Sequence, residues 1–144
     1  MEAPRRIEMQ ITSDTARLAA VRRALEAFAG EAGFSEEGIG QIGLCVNEAL
    51  ANVIRHAYDG NLDKPIHLQA ESTHDRGKIM LRLIIRDWGC GKNPAVRIPK
   101  LRDPLEPGGV GMICLKQLMD EVVFSPQPDG MLLTMVKRQE TDTG

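Results

Sequence analysis

Two stretches of helical periodicity follow one another near the start of the chain. Segments that repeat every second residue stand on both sides of them and never alternate with them one for one. Ile7, Met9 and Ile11 alternate with Glu8 and Gln10, the period of a half-buried strand, and read as an edge strand. Thr12, Ser13 and Asp14 then offer N-cap side chains, and Leu18, Val21, Leu25, Phe28 and Ala32 recur at helical spacing up to Gly33. Ser35, with Glu36 and Glu37, opens a second helix whose stripe runs Ile39, Ile42, Val46, Ala49, Leu50, Val53 and Ala57. Ile66, Leu68 and Ala70, then Ile79, Leu81, Leu83 and Ile85, predict a hairpin, with a further helix from about Gly109 to Met119. A last hairpin pairs Val122 to Phe124 with Met131 to Val136 around Pro126 to Gly130. An order that is not βαβ predicts an α+β protein, a two-layer sandwich with helices on one face of a mixed, mostly antiparallel sheet.

Composition limits what such a fold can do. The 144 residues are 42% hydrophobic and 26% charged, the mixture of one globular domain, assigned to residues 1–138, followed by a polar tail at 139–144. Eighteen basic against twenty acidic side chains leave a formal charge of −2, so no general attraction to nucleic acid or an anionic membrane is expected. Only Phe28, Phe34, Tyr58, Trp88 and Phe124 are aromatic, too few for base-stacking platforms. Cys45, Cys90 and Cys114 are odd in number and widely spaced, and no apolar run approaches a membrane span; a cytoplasmic protein is expected.

Three clusters could carry chemistry. At about 100° per residue, Gln41, Glu48, Asn52 and Arg55 share one arc of the second helix, opposite Val46, Leu50 and Val53. A solvated polar face is one reading. Asn is a poor helix former, however, and an exposed site there would more often hold Lys, Glu or Gln. Its amide oxygen can ligate a hard cation, and a carboxylate one turn away can activate a hydroxyl. The second cluster, Asp87-Trp88-Gly89-Cys90-Gly91, follows a strand directly. It is either a strand-terminating turn or an acceptor beside backbone that can approach a flat ligand.

The third cluster, Gly108-Gly109-Val110-Gly111, precedes helical residues, where exposed N–H groups and the helix dipole favour phosphate. The stretch is neither a Walker loop nor a Rossmann fingerprint. Pro94, Pro99, Pro104 and Pro107 predict a long loop between the last two clusters, where Lys92, Arg97, Lys100 and Arg102 outnumber Asp103 and Glu106. That loop is either a solvated charged segment or a lid over phosphates.

Taken in order, Glu48-x-x-x-Asn52, Asp87-x-Gly89-x-Gly91 and Gly109-x-Gly111 resemble the N, G1 and G2 boxes of the GHKL superfamily, the ATPases and kinases of the Bergerat fold. Two stretches, residues 47–58 and Gly109-Val110-Gly111-Met112 with 118–122, are similar to bacterial anti-sigma-factor serine/threonine kinases of the partner-switching type. The likeness covers essentially the whole chain.

This resemblance implies that Asn52 holds the Mg²⁺ that bridges the ATP phosphates and that Glu48 is the general base. Asp87 would accept from the adenine amino group, with Gly89 and Gly91 shaping that side of the pocket. Gly108, Gly109, Val110, Gly111 and Met112 would border the phosphates, and Arg55, Lys92, Lys100 and Arg102 are lid or phosphate candidates. The implied partners are an anti-anti-sigma phosphoacceptor, an alternative sigma factor and a second copy of the chain, with no direct contact to nucleic acid or membrane. The resemblance leaves two alternatives: an ATP-gated module that captures a regulator without efficient transfer, and a detached histidine-kinase-like ATP domain.

Some positions depart from the pattern or stay open. Relatives commonly carry Gly-Thr in the final hairpin, whereas Gly130 is followed by Met131, and Thr134 could face the pocket or turn away from it. His56 is either a satisfied histidine at the helix end or a participant in catalysis. Cys90 reads as small filler unless it is accessible and acidic.

Overall fold

The computed structural model describes residues 4–58, 60–89 and 115–140. Strand β1 (Arg5–Thr12) is followed by a short 3₁₀ turn, α1 (Leu18–Ala32) and α2 (Glu36–Asn52), then β2 (Pro65–Asp75), β3 (Lys78–Asp87), β4 (Glu121–Gln127) and β5 (Gly130–Glu140). Residues 115–118 are helical, and the remainder of the helix expected from Gly109 lies outside the described residues. The five strands form one sheet in the order β1-β2-β3-β5-β4, so β1 is an edge strand as its pattern predicts. Every pairing among the described residues is antiparallel, which simplifies the mixed sheet expected from the sequence. Among the described residues no helix is long and apolar enough to cross a membrane.

The local signals act as read. Asp14 caps the 3₁₀ turn, accepting from the Ala16 N–H at 2.9 Å, and Ser35 Oγ accepts from the Gly38 N–H at 3.1 Å to cap α2. Gly33 ends α1 at φ 108°, a left-handed cap that lets the chain turn back into α2. The β2–β3 hairpin closes on Arg76 (φ 53°) and Gly77 (φ 76°), two successive positive-φ residues of the kind that match the twist of the flanking strands.

The strand register stacks the inward side chains in rows across the sheet. One row runs Met9, Leu68, Ile85, Leu133, Phe124; its neighbour runs Ile7, Ala70, Leu83, Met135, Val122. Both pack with Val21, Leu25 and Phe28 of α1 and Ile42, Val46 and Leu50 of α2 in one core, so the helices cover one face of the sheet. The third row runs Ile11, Ile66, Asp87, Met131, Pro126. Its middle member is a carboxylate on an otherwise apolar face, and it is only 1% exposed.

Two boundaries differ from the sequence reading. Gln139 and Glu140, expected in the polar tail, belong to β5 and pair with Ile79 and Lys78. Gln139 Oε1 also accepts from the Ser35 N–H and hydroxyl, each at 3.1 Å, so a polar side chain here ties the sheet to the start of α2. The second helix keeps its buried stripe to Ala57, but the α-helix ends at Asn52 and a π-helical turn spans Val53–Ala57. There the Tyr58 N–H bonds to the Val53 carbonyl, five residues back. Insertions of this kind concentrate at functional sites.

Candidate functional site

Asn52 occupies the last α-helical position of α2, immediately before the π-helical turn, and its side chain makes no capping hydrogen bond. Asp87 ends β3. Although 35 residues apart in the chain, both line one narrow cleft between helix and sheet, together with Ala49, Val53, Ile85, Phe124, Met131 and Leu133. The walls are apolar, and the polar groups are one amide and one carboxylate. Few polar groups on an apolar lining are the chemistry by which a flat heteroaromatic ligand with one hydrogen-bonding edge is recognised.

The Asp87 carboxylate also organises the backbone after it. Its Oδ1 accepts from the Gly89 N–H at 3.1 Å, folding the chain back over the strand end. Gly89 is buried against the end of the helix, and a Cβ built there would fall 2.6 Å from the Ala57 Cβ and closer still to the Ala57 carbonyl oxygen. Glycine is therefore required by close approach. Gly89→Ala should destabilise the protein by roughly 1–3 kcal/mol, the usual cost of overpacking, which a lowered thermal midpoint would register. An unchanged midpoint would show that the turn and helix end can separate freely.

Other expected residues fall in different places. Glu48 is half-buried one helical turn before Asn52, on the same side of α2 but outside the cleft lining. Arg55 is exposed on the π-helical turn. Met131 is buried and pairs directly with Asp87, so a thioether stands in the cleft. Thr134 pairs with Ile84 and Val123 on the opposite face of the sheet and turns away from the cleft. His56 is half-buried within the π-helical turn. Cys90, Gly91, Lys92, Lys100, Arg102, Gly108, Gly109, Val110, Gly111 and Met112 lie outside the described residues.

Comparison with known proteins now decides the family. The family described as "Histidine kinase-like ATPase domain" matches this chain over residues 11–137. The chain belongs to that family. This histidine kinase-like ATPase domain is 29% identical to serine-protein kinase RsbW of Oceanobacillus iheyensis, over 91% of this chain and 85% of the relative. It is 28% identical to RsbW of Halalkalibacterium halodurans, over 96% and 86% respectively. RsbW of Staphylococcus aureus is 26% identical, over 91% of this chain. Among solved structures, the RsbU and RsbW domains of a Mycobacterium tuberculosis protein superpose with a TM-score of 0.64 at 16% identity. That match covers 95% of this chain, which spans about a third (34%) of the larger one, and it establishes the shared fold.

Membership of an ATPase family implies ATP, and the polar groups that line the cleft match it in kind. A buried carboxylate can accept from an exocyclic amino group. A half-buried amide oxygen at the helix end suits Mg²⁺, which typically takes one or two protein ligands and completes its shell with phosphate oxygens and water. Tyr58, the last residue of the 47–58 stretch, has no role that the sequence pattern assigns. Its hydroxyl accepts from the Trp88 N–H at 2.8 Å and donates to the Pro65 carbonyl. The available signal was compositional: it is the only tyrosine in the chain, placed at the end of the site helix.

Proposed function

We propose that this chain is an ATP-dependent serine/threonine protein kinase that phosphorylates an anti-anti-sigma partner and, as a homodimer in the cytoplasm, sequesters an alternative sigma factor. The convergence of Asn52 and Asp87 on one cleft, with Glu48 one turn away, carries this reading. The choice of serine or threonine as acceptor rests on the likeness to serine-protein kinases over nine-tenths of the chain.

In this mechanism Asp87 reads the base and fixes its depth, while Asn52 would supply the protein ligand to Mg²⁺. An ion held there would neutralise charge on phosphate oxygens. Glu48 faces the approaching hydroxyl and takes its proton. The hydroxyl oxygen forms a bond to the γ-phosphorus as the bond between that phosphorus and the bridging oxygen breaks, and ADP leaves with the electron pair. Phosphoryl transfer needs chiefly positioning and charge neutralisation, so this small set of side chains suffices. The glycine-rich stretch 108–111 would add backbone N–H groups to the phosphates.

Incubation with γ-labelled ATP, Mg²⁺ and an anti-anti-sigma protein from the same organism should give an acid-stable phosphoserine or phosphothreonine on that protein. Chelation of the metal should abolish it. Met131, which places a thioether opposite Asp87, favours a second reading, an ATP-gated module that captures a regulator without transfer. Tight ATP-dependent capture with no phosphopartner after long incubation would select that reading. Acid-labile phosphohistidine would overturn both.

A further inference from the structure

The turn that bears Gly89 is attached to the Asn52 helix at two consecutive positions. Gly89 packs on Ala57, and the N–H of Trp88 donates to the hydroxyl of Tyr58 at 2.8 Å. The same hydroxyl donates to the Pro65 carbonyl at the start of β2. Tyr58 is 5% exposed, and both of its hydroxyl bonds are part-buried. On the other side of the strand end, Arg86 donates to the Asp87 carbonyl, ion-pairs with Asp129 at the tip of the β4–β5 hairpin, and lies 4.8 Å from the centre of the Trp88 ring.

The π-helical turn brings Tyr58 to this position. In an uninterrupted α-helix Tyr58 would lie about 120° around the axis from Val46, at the margin of the buried stripe. Widening the turn over Val53–Ala57 reduces the rotation per residue, so Ala57 and Tyr58 both reach the core side, where both are buried. The widened turn thus joins the residue expected to hold the metal to the residues expected to hold the base.

We propose that Tyr58 is a positioning residue for the nucleotide site. Through its hydroxyl it sets the separation between the helix that carries Asn52 and the turn that carries Asp87 and Gly89. The inference rests on the proposed function, because the site it tunes is the ATP site. A purely packing role would be served equally by a phenylalanine ring. The hydroxyl, in contrast, bonds one backbone group of the turn and one of β2, and its removal leaves both without that partner.

Tyr58→Phe tests this, because it keeps the ring and deletes only the hydroxyl. At a temperature where circular dichroism shows the variant folded, the KM for ATP and the calorimetric Kd for Mg-ATP should rise about tenfold, with kcat at saturating ATP unchanged. Trp88 is the only tryptophan, so its emission reports the turn and should change in the variant before nucleotide is added. A folded variant with wild-type Kd and wild-type Trp88 emission overturns the proposal. Should the variant not fold, amide exchange in the wild-type protein decides. The Trp88 N–H should be protected and become more so with Mg-ATP, and exchange at the rate of an open amide overturns the proposal. Wild-type protein that binds no Mg-ATP overturns the proposed function and this inference together. Binding by the wild type with an unaltered Tyr58→Phe affinity overturns this inference alone.

Discussion

Replacing Glu48 with Gln should slow phosphoryl transfer by about 10²- to 10⁴-fold, the range a positioned acid or base contributes, while Mg-ATP binding persists. The substitution preserves shape and helix propensity, so α2 should remain intact. What it removes is the capacity to accept a proton from the attacking hydroxyl. Binding persists because Glu48 stands one turn from Asn52 and outside the cleft that Asn52 and Asp87 line. Single-turnover measurement of phosphopartner formation, set beside calorimetric titration with Mg-ATP, separates the two effects. Transfer at the wild-type rate would remove Glu48 as the base, and loss of ATP binding would make it part of the nucleotide site instead. The measurement must be made on transfer to the partner, because hydrolysis of ATP by water does not require the same proton acceptor.

Much of this site was legible because two residues break local rules. An asparagine within a helix of Ala, Leu, Val and Ile contradicts propensity, and such conflicts concentrate where function overrides stability. Parity marks Asp87 in the same way. Ile79, Leu81, Leu83 and Ile85 face inward, so the next odd position does too, and a carboxylate there enters the core face. The same parity turns Thr134 outward once Leu133 and Met135 are inward.

The missing pieces depended on contacts between distant segments. Val53-Ile54-Arg55-His56-Ala57 carries no local mark of a π-helical turn, and its geometry accompanies the packing of Ala57 against Gly89, 32 residues later. Gln139 reads as tail because polarity reports exposure, whereas its partner is Ser35, 104 residues earlier at the start of α2. The placement of β5 between β3 and β4 likewise follows from inter-strand pairing that no single segment encodes.

Asp87→Asn should weaken ATP binding by roughly 10- to 150-fold, the equivalent of one hydrogen bond to a charged group. Asparagine keeps an oxygen that can accept from the Gly89 N–H, so the turn should hold and the change fall on the base. The decisive comparison uses purine riboside triphosphate, which lacks the 6-amino group. Wild-type protein should prefer ATP over this analogue by a similar factor, because the buried carboxylate, 1% exposed, is left without that donor when the analogue binds. In the Asn variant the preference should collapse, since its amide offers one fixed acceptor already engaged by Gly89. Equal weakening towards both nucleotides would give a different account, in which Asp87 acts by shaping the turn. Purine riboside triphosphate therefore separates recognition of the base, proposed for Asp87, from support of the backbone, which Asp87 gives by accepting from Gly89. The Met131 thioether, paired across from Asp87 and lining the same cleft, should contribute nearly the same to both nucleotides, because an apolar wall does not discriminate the amino group.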